Sequence, residues 1–271
     1  MIADNLSKVY KELPSDVTLV AVSKFHPVER LMEAYDAGQR VFGENRPQEL
    51  SAKVPLMPAD VQWHFIGHLQ TNKLKLVLPY VTMVQSVDSL HLLEAISAWA
   101  VANERVIDVL LELHLGAEET KHGFSEDEIR ALLSAGAMPS ETCGRPWPHE
   151  WEGPADGRDG GQARLHTGST GRGRDEERSD EGFSEGIAPA DKSFPGVRIR
   201  GLMGMATNTE DAERVEEEFA RIEGLFREMQ ATGLPDFDQL SIGMSGDWPI
   251  AVRHSATMVR IGTDIFGPRE Y

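Results

Sequence analysis

The chain has 271 residues, of which 40% are hydrophobic and 26% are charged, and its formal net charge is -17. This composition predicts a globular protein with one large domain or two small ones, and the acidic balance argues against nucleic acid or an anionic membrane as a partner. Cys143 is the only cysteine, which excludes an intramolecular disulfide, and no export signal or long apolar run is present, so we expect a cytoplasmic protein.

Short apolar runs alternate with helical periodicities along the chain. The first run, Thr18–Lys24, is predicted to be a strand buried on both faces, because its apolar residues are continuous. Seven further strands are predicted at residues 41–45, 61–67, 83–87, 106–115, 197–203, 237–244 and 257–262. Eight strands alternating with helices favour the α/β class and a single (β/α)8 TIM barrel over residues 1–271. A doubly wound sheet alternates similarly but usually has fewer strands in one domain.

Three of the intervening segments carry specific helix signals. Residues 69–78 are predicted to form a helix between the third and fourth strands. Ser125 and Glu128 have the spacing of a capping box, which marks the start of the helix after the fifth strand. The clearest apolar stripe at helical spacing runs from Ala212 to Met229, after the sixth strand.

One long stretch interrupts the alternation. Residues 139–192 are dense in Gly, Pro, Arg, Asp and Glu, with few large aliphatic residues, so they bury too little apolar surface to offset the cost of ordering. We therefore predict a disordered or loosely ordered insertion between the helix after strand five and strand six. The alternative is a functional lid or partner-binding loop, for which Trp147 and Trp151 would be the bulky anchors.

Polar residues stand where four of the predicted strands end. Lys24 ends the first strand, Asn45 the second, Ser245 follows the seventh, and Gly262-Thr263 the eighth. Barrels place their chemistry at this edge, and backbone N–H groups with a hydroxyl after the last strands can bind a phosphate. A lysine at a strand end either extends into solvent or, when desolvated, attacks an aldehyde. Together these residues predict a site for a phosphorylated aldehyde.

Six motifs, in order, resemble the pyridoxal phosphate (PLP) homeostasis proteins, a one-domain relative of the alanine racemase barrel with the type III fold of PLP-binding proteins. The motifs are Ala21-Val-Ser-Lys24, Phe42-Gly-Glu-Asn45, Trp63-His-Phe-Ile-Gly67-x-Leu-Gln-x-Asn-Lys73, Arg200-Gly-Leu-Met203, Ser241-x-Gly-Met-Ser245-x-Asp247 and Met258-Val-Arg-Ile-Gly-Thr263-x-Ile-Phe-Gly267. The resemblance covers nearly the whole chain apart from residues 139–192, which replace a short loop of the family.

The resemblance implies that pyridoxal 5′-phosphate is the cofactor. The family's motif lysine, which forms a Schiff base with PLP, falls on Lys24. The phosphate-binding positions fall on Ser245, Gly262 and Thr263.

The resemblance also implies contacts with the cofactor ring. By similarity with the racemase barrel, Arg260 would face the pyridine nitrogen; because a guanidinium only donates, it would keep that nitrogen unprotonated and weaken carbanion chemistry. Asn45 would lie beside the cofactor. Lys121 is a weaker candidate near the phenolic oxygen, and His64 is either a core histidine or a cofactor contact.

Three functions are compatible with these residues. The first is a PLP-binding protein that buffers the aldehyde and delivers it to PLP-dependent apo-enzymes, with no catalytic residues and no metal, as a monomer or weak dimer. The second is an amino-acid racemase, which needs a second base from an extra domain; the sequence ends at Tyr271, so we expect that domain to be absent. The third is a Schiff-base aldolase, although such lysines usually stand on a later strand.

Overall fold

A computed structural model describes residues 1–115, 123–134 and 194–268. Within these ranges eight parallel strands form a closed barrel, in which each strand pairs with the next and β8 pairs with β1. The strands are β1 (Thr18–Val22), β2 (Val41–Glu44), β3 (Gln62–Phe65), β4 (Val81–Val87), β5 (Ile107–Leu113), β6 (Val197–Gly204), β7 (Gln239–Ser241) and β8 (Met258–Ile261). The prediction of a (β/α)8 barrel is confirmed.

Helices form the outer layer of the barrel. They are α1 (Ile2–Glu12), α2 (Val28–Asp36), α3 (Pro47–Lys53), α4 (Leu90–Ala102), α5 (Glu126–Ser134), α6 (Ala212–Ala231), α7 (Trp248–Arg253) and α8 (Thr263–Phe266), with short 3-10 helices at Val54–Leu56 and Thr71–Leu76. Each longer helix buries apolar residues on one face; in α1, which packs against α2 and α8, the buried residues are Ile2, Leu6 and Val9. In the part of the chain that is described, no helix is long and apolar enough to cross a bilayer.

The helix signals and strand bounds agree with the structure except at two places. The capping box forms, since the Ser125 amide donates to Glu128 at 2.8 Å and the Glu128 amide to Ser125 Oγ at 3.2 Å. The predicted helix at 69–78 is wrong in type: a 3-10 helix covers Thr71–Leu76, and Pro79 disfavours helical geometry for the residue before it. The seventh strand is shorter than predicted at both ends; just beyond its carboxyl end Gly243 has a φ of +92°, and before its start Asp236 has a φ of +58°, both outside the extended region.

Two apolar clusters sandwich the strands. The larger one lies between the barrel and its helices. A small cluster inside the barrel contains Val20, Met83, Leu110, Met203 and Met258, contributed by five strands. Because side chains alternate along a strand, Val22 and Lys24 follow Val20 on the inner side, toward the carboxyl end of the barrel. The insertion predicted at 139–192 lies outside the described residues, as do Cys143, Trp147 and Trp151.

Candidate functional site

A cavity of about 260 Å³ opens at the carboxyl ends of the strands. All six residues that the sequence analysis selected line it: Lys24, Asn45, Ser245, Arg260, Gly262 and Thr263. They come from the ends of β1, β2 and β7 and from β8 and the residues after it. The cavity therefore brings together groups that are spread over nearly the whole chain, at the edge where barrels place their chemistry.

Lys24 stands two residues beyond β1, at the end of a strand whose middle residues are completely buried. The register pairs Val20 with Arg260 and Ala21 with Ile261, so the strand that carries Lys24 and the strand that carries Arg260 are direct neighbours. Lys24 as a residue is half-buried, and it lines the cavity. A lysine in that setting combines partial desolvation with access to a ligand, which is what a nucleophilic amine requires.

One side of the cavity is built from backbone and hydroxyl groups. The Gly262 amide donates to Ser245 Oγ at 3.3 Å, which leaves the Ser245 hydroxyl hydrogen to be donated elsewhere. A side chain at Gly246 would meet no atom within 4 Å, so the space beside Ser245 is open. Thr263 adds a second, exposed hydroxyl. These donors fit a phosphate group.

Arg260 forms the floor of the cavity and is only 4% exposed. Its Nη1 donates to the backbone carbonyl and to the hydroxyl of Ser241, both at 2.7 Å, and its Nη2 donates to the carbonyl of Gly204 at 2.8 Å. Three bonds to two strands fix the plane of the guanidinium. A planar donor fixed in this way can direct its remaining N–H groups at one ligand atom.

Burial affects the charge of this arginine. Desolvation lowers the pKa of Arg260 to about 10, and the carboxylates of Glu112 and Asp247 partly oppose that change. Burial likewise raises the pKa of Glu112 and that of Asp247, since both carboxyl groups lose solvent. A pKa of about 10 still keeps the guanidinium protonated at neutral pH. The floor of the cavity is therefore a cationic donor with no capacity to accept a proton.

Asn45 supplies the observation that tests whether a polar ligand fits. Among the described residues its Oδ1 is buried and has no hydrogen-bond partner. Gly67 lies so close that a Cβ there would stand 2.4 Å from the Asn45 carbonyl oxygen, so the backbone packing fixes where Asn45 lies. Buried amide atoms normally have partners, and a polar ligand in the cavity would supply one. The residues present thus fit PLP, which has a phosphate, a ring nitrogen and polar ring substituents.

The weaker candidates have different positions. His64 is 5% exposed inside the barrel, where its Nδ1 lies 2.8 Å from Gln85 Nε2, and it is not among the residues that line the cavity. Lys121 lies outside the described residues. His26, Met205 and Met244 line the cavity although the sequence analysis did not select them. Of these three, only His26 could have been selected from the sequence, because it stands two residues after Lys24.

Comparisons with known proteins identify the family to which this chain belongs. Residues 1–142 match the family model for the N-terminal domain of alanine racemase. A pyridoxal phosphate homeostasis protein of Vibrio alginolyticus is 30% identical over 263 residues, which cover 95% of this chain and 89% of the relative. Its counterpart in Aquifex aeolicus is 31% identical and covers 93% of this chain and 87% of the relative. The structure of PipY from Synechococcus elongatus, solved with PLP bound, is 30% identical and superposes with a TM-score of 0.73, covering 98% of this chain and 100% of that one.

Proposed function

This chain belongs to the family of pyridoxal phosphate homeostasis proteins, and we propose that it binds PLP as a Schiff base on Lys24 and takes part in PLP homeostasis. The observation that carries the proposal is the convergence of six residues on one cavity, although they are distant in sequence. When bound, PLP supplies an aldehyde that reacts with amines and a ring that withdraws electrons.

Each group of PLP has a matching group in the cavity. The Ser245 hydroxyl, oriented by the Gly262 amide, and the Thr263 hydroxyl would hold the phosphate. Arg260 would donate to the pyridine nitrogen from a guanidinium whose plane is fixed by Ser241 and Gly204. The Asn45 amide would pair with a polar substituent of the ring.

The same arrangement gives little support to carbanion chemistry; because the racemase barrel has this contact too, the proposal of a binding role also rests on the family to which the chain belongs. A guanidinium that stays protonated cannot give its proton up to the ring nitrogen or accept one from it, so the ring would stay unprotonated and would stabilise a carbanion poorly. We therefore propose that the protein buffers PLP and hands it to apo-enzymes, without robust turnover of amino acids. A cytoplasmic location and a monomeric or weakly dimeric state remain sequence-based predictions.

The direct experiment is to trap the bound cofactor. The purified protein, saturated with PLP, is reduced with borohydride, digested, and analysed by peptide mass spectrometry. We expect the reduced adduct on the peptide that contains Lys24, and Lys24→Ala should abolish both the adduct and the absorbance band of the bound aldehyde. Lys75→Ala is the matched control, because Lys75 is exposed on the 3-10 helix Thr71–Leu76, away from the residues that line the cavity.

Two results would contradict the proposal. One is an adduct on another lysine, such as Lys73, in the wild-type protein. The other is an unchanged absorbance band in Lys24→Ala at the same PLP concentration. Either would mean that the cavity does not use Lys24 to hold the aldehyde.

A further inference from the structure

One face of helix α3 contacts the turn that carries Lys24. The residues on this face are Arg46, Glu49 and Lys53, which follow one another at three- and four-residue spacing and therefore lie on one side of the helix. The turn spans residues 23–26, between β1 and α2. Arg46 immediately precedes α3, so the face begins one residue after Asn45 of the cavity wall.

The contacts are made to the peptide groups on both sides of Lys24. Lys53 Nζ donates to the carbonyl oxygen of Ser23 at 2.9 Å, before Lys24 in the chain. The Phe25 amide, immediately after Lys24, donates to Glu49 Oε2 at 2.8 Å. The guanidinium carbon of Arg46 also lies 4.4 Å from the centroid of the Phe25 ring. Side chains of one helix thus fix the backbone of the lysine from both directions.

The turn needs such support because its backbone is strained. The His26 amide donates to the Ser23 carbonyl at 3.1 Å, which closes a four-residue turn around Lys24 and Phe25. Phe25 has a φ of +68°, in the left-handed region that residues with a Cβ rarely adopt. Phe25 is 41% exposed, so burial in the core does not hold this conformation in place. The hydrogen bond to Glu49 and the contact with Arg46 support this conformation.

The supporting side chains are themselves anchored in a buried ion-pair network. Lys53 Nζ lies 2.6 Å from Glu44 Oε1 and 3.3 Å from Glu49 Oε2. The Lys53 side chain is 9% exposed and that of Glu44 is completely buried, while Ser23 Oγ donates to the same Glu44 oxygen at 2.7 Å. Breaking such a pair leaves an uncompensated buried charge, so these partners have little freedom to separate. The network joins the end of β2 to the turn after β1.

We propose that Glu49 and Lys53 are positioning residues for the cofactor lysine, holding the strained turn so that the Lys24 amine meets the aldehyde of PLP. This inference rests on the proposed function, because it assigns a role only if Lys24 forms the covalent link. The inference distinguishes the covalent part of PLP binding from the non-covalent part. The α3 face governs the covalent bond to Lys24, whereas the phosphate and ring contacts at Ser245 and Arg260 come from the loop after β7 and from β8.

The experiment compares two ligands that differ at one group. PLP has the aldehyde, and pyridoxine 5′-phosphate has an alcohol in its place, so only PLP can bond to Lys24. For Glu49→Ala we expect PLP affinity to fall about tenfold, while pyridoxine 5′-phosphate affinity changes less than about twofold. Glu49→Gln keeps an acceptor oxygen for the Phe25 amide and should lose only about threefold for PLP. A purely structural role would weaken both ligands together.

The matched control is Glu126→Ala. The Glu126 side chain is 24% exposed and pairs with a cation four residues later, as the 23% exposed side chain of Glu49 does, but it lies on α5 and not among the cavity residues. It should leave both affinities unchanged. For Lys53, the double variant Lys53→Met with Glu44→Gln removes both buried charges together, and Glu49, which loses its contact with Lys53, keeps Arg46 at 3.6 Å. It should reproduce the selective loss of PLP affinity.

A rescue variant addresses the strain directly. Glycine adopts positive φ without a steric penalty, so Phe25→Gly should recover part of the PLP affinity that Glu49→Ala loses. Equal losses for PLP and pyridoxine 5′-phosphate, or no loss for either, would overturn the inference, as would a complete lack of rescue. If Glu49→Ala does not fold, the ratio of the two affinities in Glu49→Gln decides the matter. Failure of the wild type to link PLP to Lys24 would instead refute the proposed function.

Discussion

Arg260 Nη1 donates to both oxygen atoms of Ser241, the carbonyl and the hydroxyl, at 2.7 Å each. This double contact begins a buried hydrogen-bond chain. The Ser241 hydroxyl accepts from Arg260 and donates to Gln85 Oε1 at 2.7 Å, because an amide oxygen only accepts, and Gln85 Nε2 in turn faces His64 Nδ1 at 2.8 Å. His64 Nδ1 must then accept, which assigns its proton to Nε2. The Gln85 amide thus sets the tautomer of His64, and hydrogen bonds connect this histidine to the cation at the cavity floor.

Removing the Ser241 hydroxyl should destabilise the protein through Arg260. Ser241→Ala deletes a hydrogen bond to a buried charge, which contributes roughly 1.5–3 kcal/mol, and also leaves Gln85 Oε1 without its donor. Ser97→Ala is the control, because Ser97 Oγ is also buried and donates to a neutral carbonyl, that of Pro195. Its cost should be about 0.5–1.5 kcal/mol. Chemical denaturation of the wild type and the two variants measures their free energies of unfolding. Equal losses for Ser241→Ala and Ser97→Ala would contradict the proposed hydrogen-bond chain through Ser241.

Burial of His64 predicts a pH dependence of folding stability. Burial lowers the pKa of His64 from 6.5 to about 4, so between these values the unfolded chain binds a proton that the folded chain does not. The stability that depends on neutral His64 is therefore complete above pH 6.5 and is lost as the pH falls toward 4. The loss at low pH should be about 3 kcal/mol.

The measurement compares unfolding free energies of wild type and His64→Gln across this pH range. A glutamine can still accept from Gln85 but does not titrate, so the difference between the two proteins should shrink or reverse as the pH falls. The exposed His91, changed to Gln, should leave the wild-type profile in place. Parallel profiles for wild type and His64→Gln would contradict the prediction.

Loss of one phosphate ligand should weaken PLP binding without abolishing it. Ser245→Ala or Thr263→Ala removes a hydrogen bond to a charged group, worth roughly 1.5–3 kcal/mol, so affinity should fall about 10- to 150-fold. Pyridoxal, which lacks the phosphate, should bind the wild type far more weakly and should be insensitive to either change. Thr232→Ala, on an exposed hydroxyl after α6, serves as the control. Equal affinity for PLP and pyridoxal would place the anion site elsewhere.

The binding role predicts negligible racemisation. With Arg260 at the ring nitrogen, the wild type saturated with PLP should incorporate almost no solvent deuterium at Cα of L- or D-alanine. Arg260→Glu should permit ring protonation and slow exchange, at some cost in PLP affinity. Wild-type turnover of about 1–1000 per second would overturn the binding role, whatever the variant does.

The strand ends could be predicted because apolar runs and breakers are local signals. Lys24, Asn45, Ser245 and Arg260 were selected from such signals and from the family motifs, and they line one cavity. The apolar run of β1 ends within two residues of Lys24, close to the predicted limit. In a barrel, locating the strand ends is sufficient to predict which residues come together, because parallel strands bring their carboxyl ends to the same edge.

The remaining features depend on contacts between distant segments. Met205 and Met244 line the cavity, yet a methionine in a loop carries no sequence signal for such a position. The left-handed conformation of Phe25, which accompanies a hydrogen bond from its amide to Glu49 on α3, runs against the preferences of phenylalanine. The sequence does contain alternating charges at Arg46, Glu49 and Lys53 along α3. Without knowledge of the neighbouring turn, however, that pattern is the same as that of an ordinary solvated helix face.

The seam between β1 and β8 has a consequence for how the protein folds. Because it pairs Val20 with Arg260, the barrel closes only when segments near opposite ends of the chain meet, and Asn5 adds a bond to the Ile265 carbonyl across the same gap. Closing so long a loop has the largest entropic cost of any strand pairing in the barrel, so this pairing should form late. The cavity cannot exist before that step. During refolding, capture of PLP by Lys24 should therefore coincide with the slowest phase, well after the helices have formed. The rate at which added PLP is bound then reports the rate at which the barrel closes.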